Sequence, residues 1–128
     1  MKIDAITLPL ISRLQLIKYA GASGDFNPIH TIDEEAHKTG LPGVIAHGML
    51  TMGMMARLFS PYMDRGMIQD YSTRFLNKVF VDDQITARAE WERSEEGDKG
   101  TVHYYTVLAE NGLGQMVAKG KLSFLMFS

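Results

Sequence analysis

The sequence predicts an α+β fold, an antiparallel β-sheet wrapped around a long central helix. Three observations carry this. The helical signals all lie in the first half of the chain. The second half switches to a two-residue period, broken at turn sequences. Between them, Met49 to about Met63 is apolar nearly all round, as expected of a helix with no face in water. Segregated helices and antiparallel strands are the α+β pattern.

The elements follow in order. Ile3 to Leu8 can form a first strand. Ser12-Arg13-Leu14-Gln15 is a capping box before an apolar run, and it predicts a helix from about Arg13 to Ala22 with Leu14, Ile17 and Ala20 on one face. Thr31-Ile32-Asp33-Glu34 repeats the signal, and with Gly40 as the stop it predicts a short helix over Asp33 to Lys38. Leu41 to Gly48 reads as a loop feeding the central helix, which Pro61 ends or closes in its last turn. A strand is expected from about Gln69 to Val81, with Asp82-Asp83 as the turn after it. Ile85, Ala87, Ala89 and Trp91 then alternate with Thr86, Arg88, Glu90 and Glu92, the period of a half-buried strand. Val102 to Leu108 is β-branched and aromatic. Met116, Ala118, Leu122 and Phe124 alternate with Val117, Lys119, Lys121 and Ser123. Glu96-Gly97 and Asn111-Gly112 read as hairpin turns.

The 128 residues fit a single domain, 1–128, with 45% apolar and 22% charged residues. A net charge of −2 leaves no basic footprint for nucleic acid. No apolar run approaches the roughly 20 residues that span a bilayer. Met1-Lys2-Ile3-Asp4 places an acid where a signal peptide wants apolar residues. There is no cysteine, so disulfides, thiolate chemistry and Cys-based zinc sites are excluded. A cytoplasmic location is the expectation.

The chemistry concentrates in Gly24-Asp25-Phe26-Asn27-Pro28-Ile29-His30. A carboxylate and an imidazole flank an Asn-Pro pair. Proline fixes its own φ and pushes Asn27 toward extended backbone, so Pro28 makes this a stiff loop. Such a loop can hold Asp25 and His30 at a constant separation, the first requirement of an acid–base pair. The plainer reading is an Asx turn capping the loop. Asn27 reads as an orienting side chain and His47 as a residue that holds the loop before the central helix. His37 and His103 read as solvated or sheet-face residues. Asp25, His30 and His47 have the residue types of a metal site, but acid–base chemistry needs no metal, and none is expected. Met49, Met52, Met54 and Met55 crowd the central helix and read mainly as core. Met49 and Met52 could also line a deformable apolar pocket. Lys119 and Lys121 read as a solvated strand face that could alternatively meet phosphates.

Tyr19 to His30 resembles the hydratase motif of the MaoC-like hot-dog proteins, and Ala46-His47-Gly48-Met49-Leu50 resembles the start of that family's central helix. Arg74-Phe75 and Val81-Asp82-Asp83 resemble its first long strand and hairpin, so the likeness covers essentially the whole chain. Ala-His-Gly-Met-Leu-Thr-Met-Gly is most like the B-type subunit of mycobacterial β-hydroxyacyl-thioester dehydratases, with the (R)-specific enoyl-CoA hydratases nearly as similar. The resemblance implies a hot-dog fold and a hydro-lyase of fatty acid metabolism that adds water to trans-2-enoyl thioesters, or removes it. Asp25 and His30 would be catalytic, and the Gly48 N–H would be the oxyanion donor. No cofactor is implied beyond the coenzyme A or acyl-carrier phosphopantetheine of the acyl thioester substrate. Side-by-side pairing is implied, as a homodimer or as a heterodimer with a related hot-dog subunit. Two rivals are a non-catalytic acyl-thioester-binding module or partner subunit, and a hot-dog thioesterase. The sequence departs from some (R)-hydratases in carrying Ala56 where they have a serine; Ser60 lies about one turn further on.

Overall fold

The computed structural model describes residues 1–128. Its elements are β1 (Ile6–Thr7), α1 (Arg13–Ser23), α2 (Asp33–Lys38), α3 (Gly48–Ala56), β2 (Gly66–Phe75), β3 (Thr86–Gly97), β4 (Gly100–Glu110) and β5 (Met116–Phe127). Two 3-10 segments, Pro28–His30 and Arg57–Tyr62, flank the α3 region in the chain. The five strands form one antiparallel sheet in the order β1-β3-β4-β5-β2. Two hairpins join β3, β4 and β5, and β2 then pairs with β5. The sheet curls around α3 and its 3-10 extension in the hot-dog arrangement. Phe59 of that extension packs against Tyr105 of β4 and Phe124 of β5, with ring centroids 5.2 and 5.7 Å away. All three rings are buried. No helix is long and apolar enough to cross a membrane.

Several expectations need correction. The central helix is neither continuous nor buried all round. Its α-helical part ends at Ala56, and Arg57–Tyr62 winds as a 3-10 segment containing Pro61. Proline has no N–H for the α-helical bond, and the tighter winding absorbs the loss. Thr51, Met54, Met55, Leu58 and Phe59 are buried, but Met49 and Gly53 are exposed, with Met52 and Ala56 half-buried. An apolar composition therefore conceals one uncovered stripe. In α1 the buried face is Leu16 and Ala20, whereas Leu14 and Ile17 are exposed. The helix has aliphatic residues on two sides, so periodicity alone does not choose between them.

Helix α2 has the predicted bounds, but Ile32 is its N-cap residue and no side chain caps it. The Asp33 carboxylate instead accepts from the Val44 N–H at 3.1 Å and meets the Arg13 guanidinium at 2.7 Å. The first strand shrinks to Ile6–Thr7, and β2 stops at Phe75 rather than Val81. The alternation leading into β3 buries Ile85 just before it and Ala87 within it, but Trp91 is exposed near a bulge between Trp91 and Arg93. In β5, Val117 and Ser123 are buried although the alternation points them outward. The first hairpin turn sits at Asp98-Lys99, just past the predicted Glu96-Gly97.

Candidate active site

The site begins where α1 ends. Gly24 adopts φ +75°, the left-handed conformation that glycine enters at no steric cost, and its N–H bonds the Ala20 carbonyl. Two Asx turns follow. The Asp25 side chain accepts from the Asn27 N–H at 3.3 Å, and the Asn27 side chain accepts from the Ile29 N–H at 3.2 Å. Asn27 is extended (φ −56°, ψ 121°), as a residue before proline should be. Pro28 then opens the 3-10 turn that ends at buried His30. So the Asx-turn reading holds, and the two turns help to set the separation of Asp25 and His30. The Asn27 side chain bonds within the loop, at the Ile29 N–H.

The ring of His30 is locked from behind. Its Nδ1 lies 2.7 Å from the Ile45 carbonyl oxygen. A carbonyl only accepts, so Nδ1 carries the proton and neutral His30 presents a bare Nε2. That Nε2 faces Asp25 Oδ2 at 3.9 Å. The gap is too long for a direct hydrogen bond and lets both atoms reach one small molecule beside them. The Asp25 side chain is half open to solvent, with 52% of its surface exposed.

His47 lies beneath the pair. Its ring stacks on His30 with centroids 3.8 Å apart and planes 22° apart, and the ring of Tyr19 meets it edge-on at 4.8 Å. Its Nε2 is 3.1 Å from the Asp25 main-chain oxygen, so by the same logic Nε2 carries the proton. Nδ1 of His47 is buried with no hydrogen-bond partner. Burial pushes His47 below the ordinary histidine value, opposed by its bond to the Asp25 carbonyl and reinforced by the neighbouring His30.

Ligating atoms of Asp25, His30 and His47 fall within 4.8 Å of one another. The Ile45 and Asp25 carbonyls already engage Nδ1 of His30 and Nε2 of His47, which leaves Nε2 of His30 and Nδ1 of His47 as the free ring nitrogens of this group.

Gly48 opens α3. Leu50 and Thr51 direct their N–H groups to the His47 carbonyl, whereas no acceptor in the chain meets the N–H of Gly48 or Met49. These unpaired donors carry the partial positive end of the helix dipole. Phe75 of β2 lies against Gly48, and a Cβ there would come within 3.1 Å of its ring. A cavity of about 330 Å³ opens beside this helix start, lined by Ile45, Ala46, Thr51, Leu76 and Val79 among others. Met52 is half-buried and its carbonyl accepts from the Tyr71 hydroxyl at 2.6 Å, so α3 runs alongside β2. Met49 is exposed on the uncovered stripe.

Away from the site, His37 is exposed and reaches the Pro42 carbonyl, and His103 bonds Ser94 on the sheet. Lys121 is engaged by Glu92, while Lys119 pairs in register with Arg74. Tyr19 and Phe75 are the neighbours whose roles the sequence does not indicate. Tyr19 sits within the motif, but its contact depends on how α1 packs, and nothing local marks Phe75 as the residue facing Gly48.

Comparison with known proteins places these features in a family. The β subunit of fatty acid synthase from Aspergillus oryzae is 35% identical over 86 residues, 65% of this chain but 4% of that protein. The mitochondrial 3-hydroxyacyl-[acyl-carrier-protein] dehydratase of Arabidopsis thaliana is 34% identical over 67 residues, 52% of this chain and 40% of its own length. The chain thus spans well under two thirds of these curated relatives. Among solved structures, an (R)-hydratase from A. caviae involved in PHA biosynthesis superposes with a TM-score of 0.80 at 26% identity, covering 98% of this chain and 96% of that one. The ChsH1–ChsH2 complex of Mycobacterium tuberculosis reaches 0.85 at 17% identity, covering 97% and 94%, a likeness of fold. Residues 2–123 match the MaoC-like domain, and the chain belongs to the MaoC-like dehydratase domain family.

Proposed function

We propose that the protein hydrates trans-2-enoyl thioesters to (R)-3-hydroxyacyl thioesters, or runs the reverse dehydration, in fatty acid metabolism. The observation that carries this reading is the bare Nε2 of His30 facing Asp25 Oδ2 at 3.9 Å, with the other ring nitrogen tied to Ile45. A water held between the two loses one proton to Nε2 while Asp25 accepts a hydrogen bond from its second hydrogen. The oxygen adds to Cβ, and negative charge moves onto the thioester oxygen. The Gly48 N–H, with that of Met49 beside it, meets this charge at the N-terminus of α3. The imidazolium, stabilised by the Asp25 carboxylate, then returns its proton to Cα. Water has been added across the double bond and His30 is neutral again.

The substrate carries its own handle, coenzyme A or acyl-carrier phosphopantetheine, and the chemistry calls for no further cofactor. Purified protein should lower the absorbance of the conjugated thioester in crotonyl-CoA without releasing free thiol. Asp25→Asn and His30→Ala should each lose about 10²–10⁴-fold in rate while remaining folded. Thiol release would instead favour a thioesterase, and wild-type rates in either variant would remove the assigned roles.

A second reading has its own support. Asp25 is half open to solvent, and neither it nor His30 lines the cavity beside Gly48. In this reading the chain supplies the pair and a second hot-dog subunit supplies most of the acyl pocket. A lone chain that elutes as a dimer and turns over substrate would remove the need for a distinct partner.

A further inference from the structure

We propose that His47 is a positioning residue that sets both halves of the acid–base pair at once: the edge of its ring holds the main chain of Asp25, and its face holds the ring of His30. The catalytic consequence rests on the hydratase reading above; the geometry does not.

His47 is the N-cap residue of α3, yet its side chain makes no capping bond. It is 2% exposed, so its polar ring is placed inward for another reason. Its Nε2–H crosses 22 positions of chain to the Asp25 carbonyl at 3.1 Å, and no other hydrogen bond reaches that oxygen. Asp25 otherwise belongs to an exposed loop anchored by local turns. The Ile45 N–H ties the far end of the loop at the Ile29 carbonyl, and His47 supplies the one bond from outside the loop that reaches Asp25 itself.

The ring face does the second part. Stacked at 3.8 Å under His30 and closed from α1 by the edge of Tyr19, His47 removes the tilt that the single Ile45 bond leaves to His30. The groups facing His47 are the Asp25 backbone and carboxylate, the His30 ring and the Tyr19 ring. None is a donor to Nδ1, which is buried and unpaired. A proton there would be a buried, unpartnered cation against a second ring that must itself become cationic during turnover. The geometry therefore disfavours a proton at Nδ1 of His47.

Two variants separate the functions of edge and face. His47→Phe keeps a flat ring under His30 and removes the donor. His47→Gln can bring an N–H near the position of Nε2 and removes the ring. With crotonyl-CoA, His47→Phe is expected to lose about 10²-fold in kcat with little change in KM, the cost of a slightly misplaced acid–base group. His47→Gln keeps a donor but leaves the ring of His30 without its support, so it should lose kcat as well. Wild-type kcat in either variant, measured below its unfolding temperature, would overturn the proposal.

Imidazole ¹⁵N spectra of the unliganded wild-type chain provide a readout that needs no turnover. Between about pH 5 and 8, the Nδ1 of His30 should carry a proton, while His47 keeps Nε2–H and a bare Nδ1. A proton on His47 Nδ1 in that range overturns the proposal. If the wild type turned over no enoyl thioester, the hydratase reading would fail and these spectra alone would decide the geometry of His47.

Discussion

Each imidazole in the site has one nitrogen assigned by a backbone carbonyl, and that assignment decides what the other can do. For His30 the free nitrogen faces Asp25; for His47 it faces no donor at all. The second case has a consequence for stability. His47 and His103 both sit below the ordinary 6.5, each first because of burial. The unfolded chain therefore binds their protons at higher pH than the folded chain does. The stability involved is fully present above 6.5 and is lost as pH falls below it. The melting temperature should drop between about pH 7 and pH 5, and calorimetry of His47→Gln should show a shallower acid slope than wild type. At Gly48, an added methyl would meet the ring of half-exposed Phe75 at 3.1 Å, a neighbour that can turn away. Gly48→Ala should remain folded while kcat falls by about tenfold or more, because the methyl crowds the donors where charge develops. An unchanged kcat would move the oxyanion site elsewhere.

At the scale of elements, β2 and β5 approach more closely than most side chains allow. A Cβ on Gly120 would lie 2.1 Å from the Ser72 carbonyl oxygen, a backbone atom that cannot turn aside. Gly120→Ala should cost about 3 kcal/mol, seen as a lower urea midpoint, and the damage should be greatest in β2, the strand Gly120 supports. The 3-10 extension of α3 anchors the core through Phe59, which is fully buried between β4 and β5. Phe59→Ala should destabilise the fold by about 3–5 kcal/mol through the cavity it leaves. This extension also explains how a helix of only nine residues, Gly48–Ala56, fills a sheet of four long strands.

At the scale of the whole molecule, the notable feature is what one chain leaves uncovered. β2 is an edge strand of ten residues, and long free edges are normally paired or blocked. Met67 and Phe75 on it are exposed, and α3 beside it exposes Met49. An apolar stripe next to an open strand fits a second hot-dog subunit better than it fits water. Met49→Asp should shift the sizing profile toward a single chain of 14.3 kDa and lower activity with it. A wild-type chain that already elutes as a monomer, yet turns over substrate, would rule this out.

Local chemistry determined a good part of this protein. The stiff Asp25–His30 loop is legible because Pro28, Asn27 and Gly24 act on their own backbone and immediate neighbours, and such effects do not wait for the rest of the fold. The α+β order, the hairpins and the bounds of α2 follow from short-range pattern in the same way. Tertiary structure decided the rest. Which face of α1 is buried depended on where α1 packs, so Leu14 and Leu16 could not be told apart by spacing. The uncovered stripe of α3 reflects how far the sheet curls, which no window of sequence contains. The bare nitrogens of His30 and His47 were set by the carbonyls of Ile45 and Asp25, residues 15 and 22 positions away in the chain. Hydrogen bonds that assign a tautomer across such separations exist only once the chain has folded.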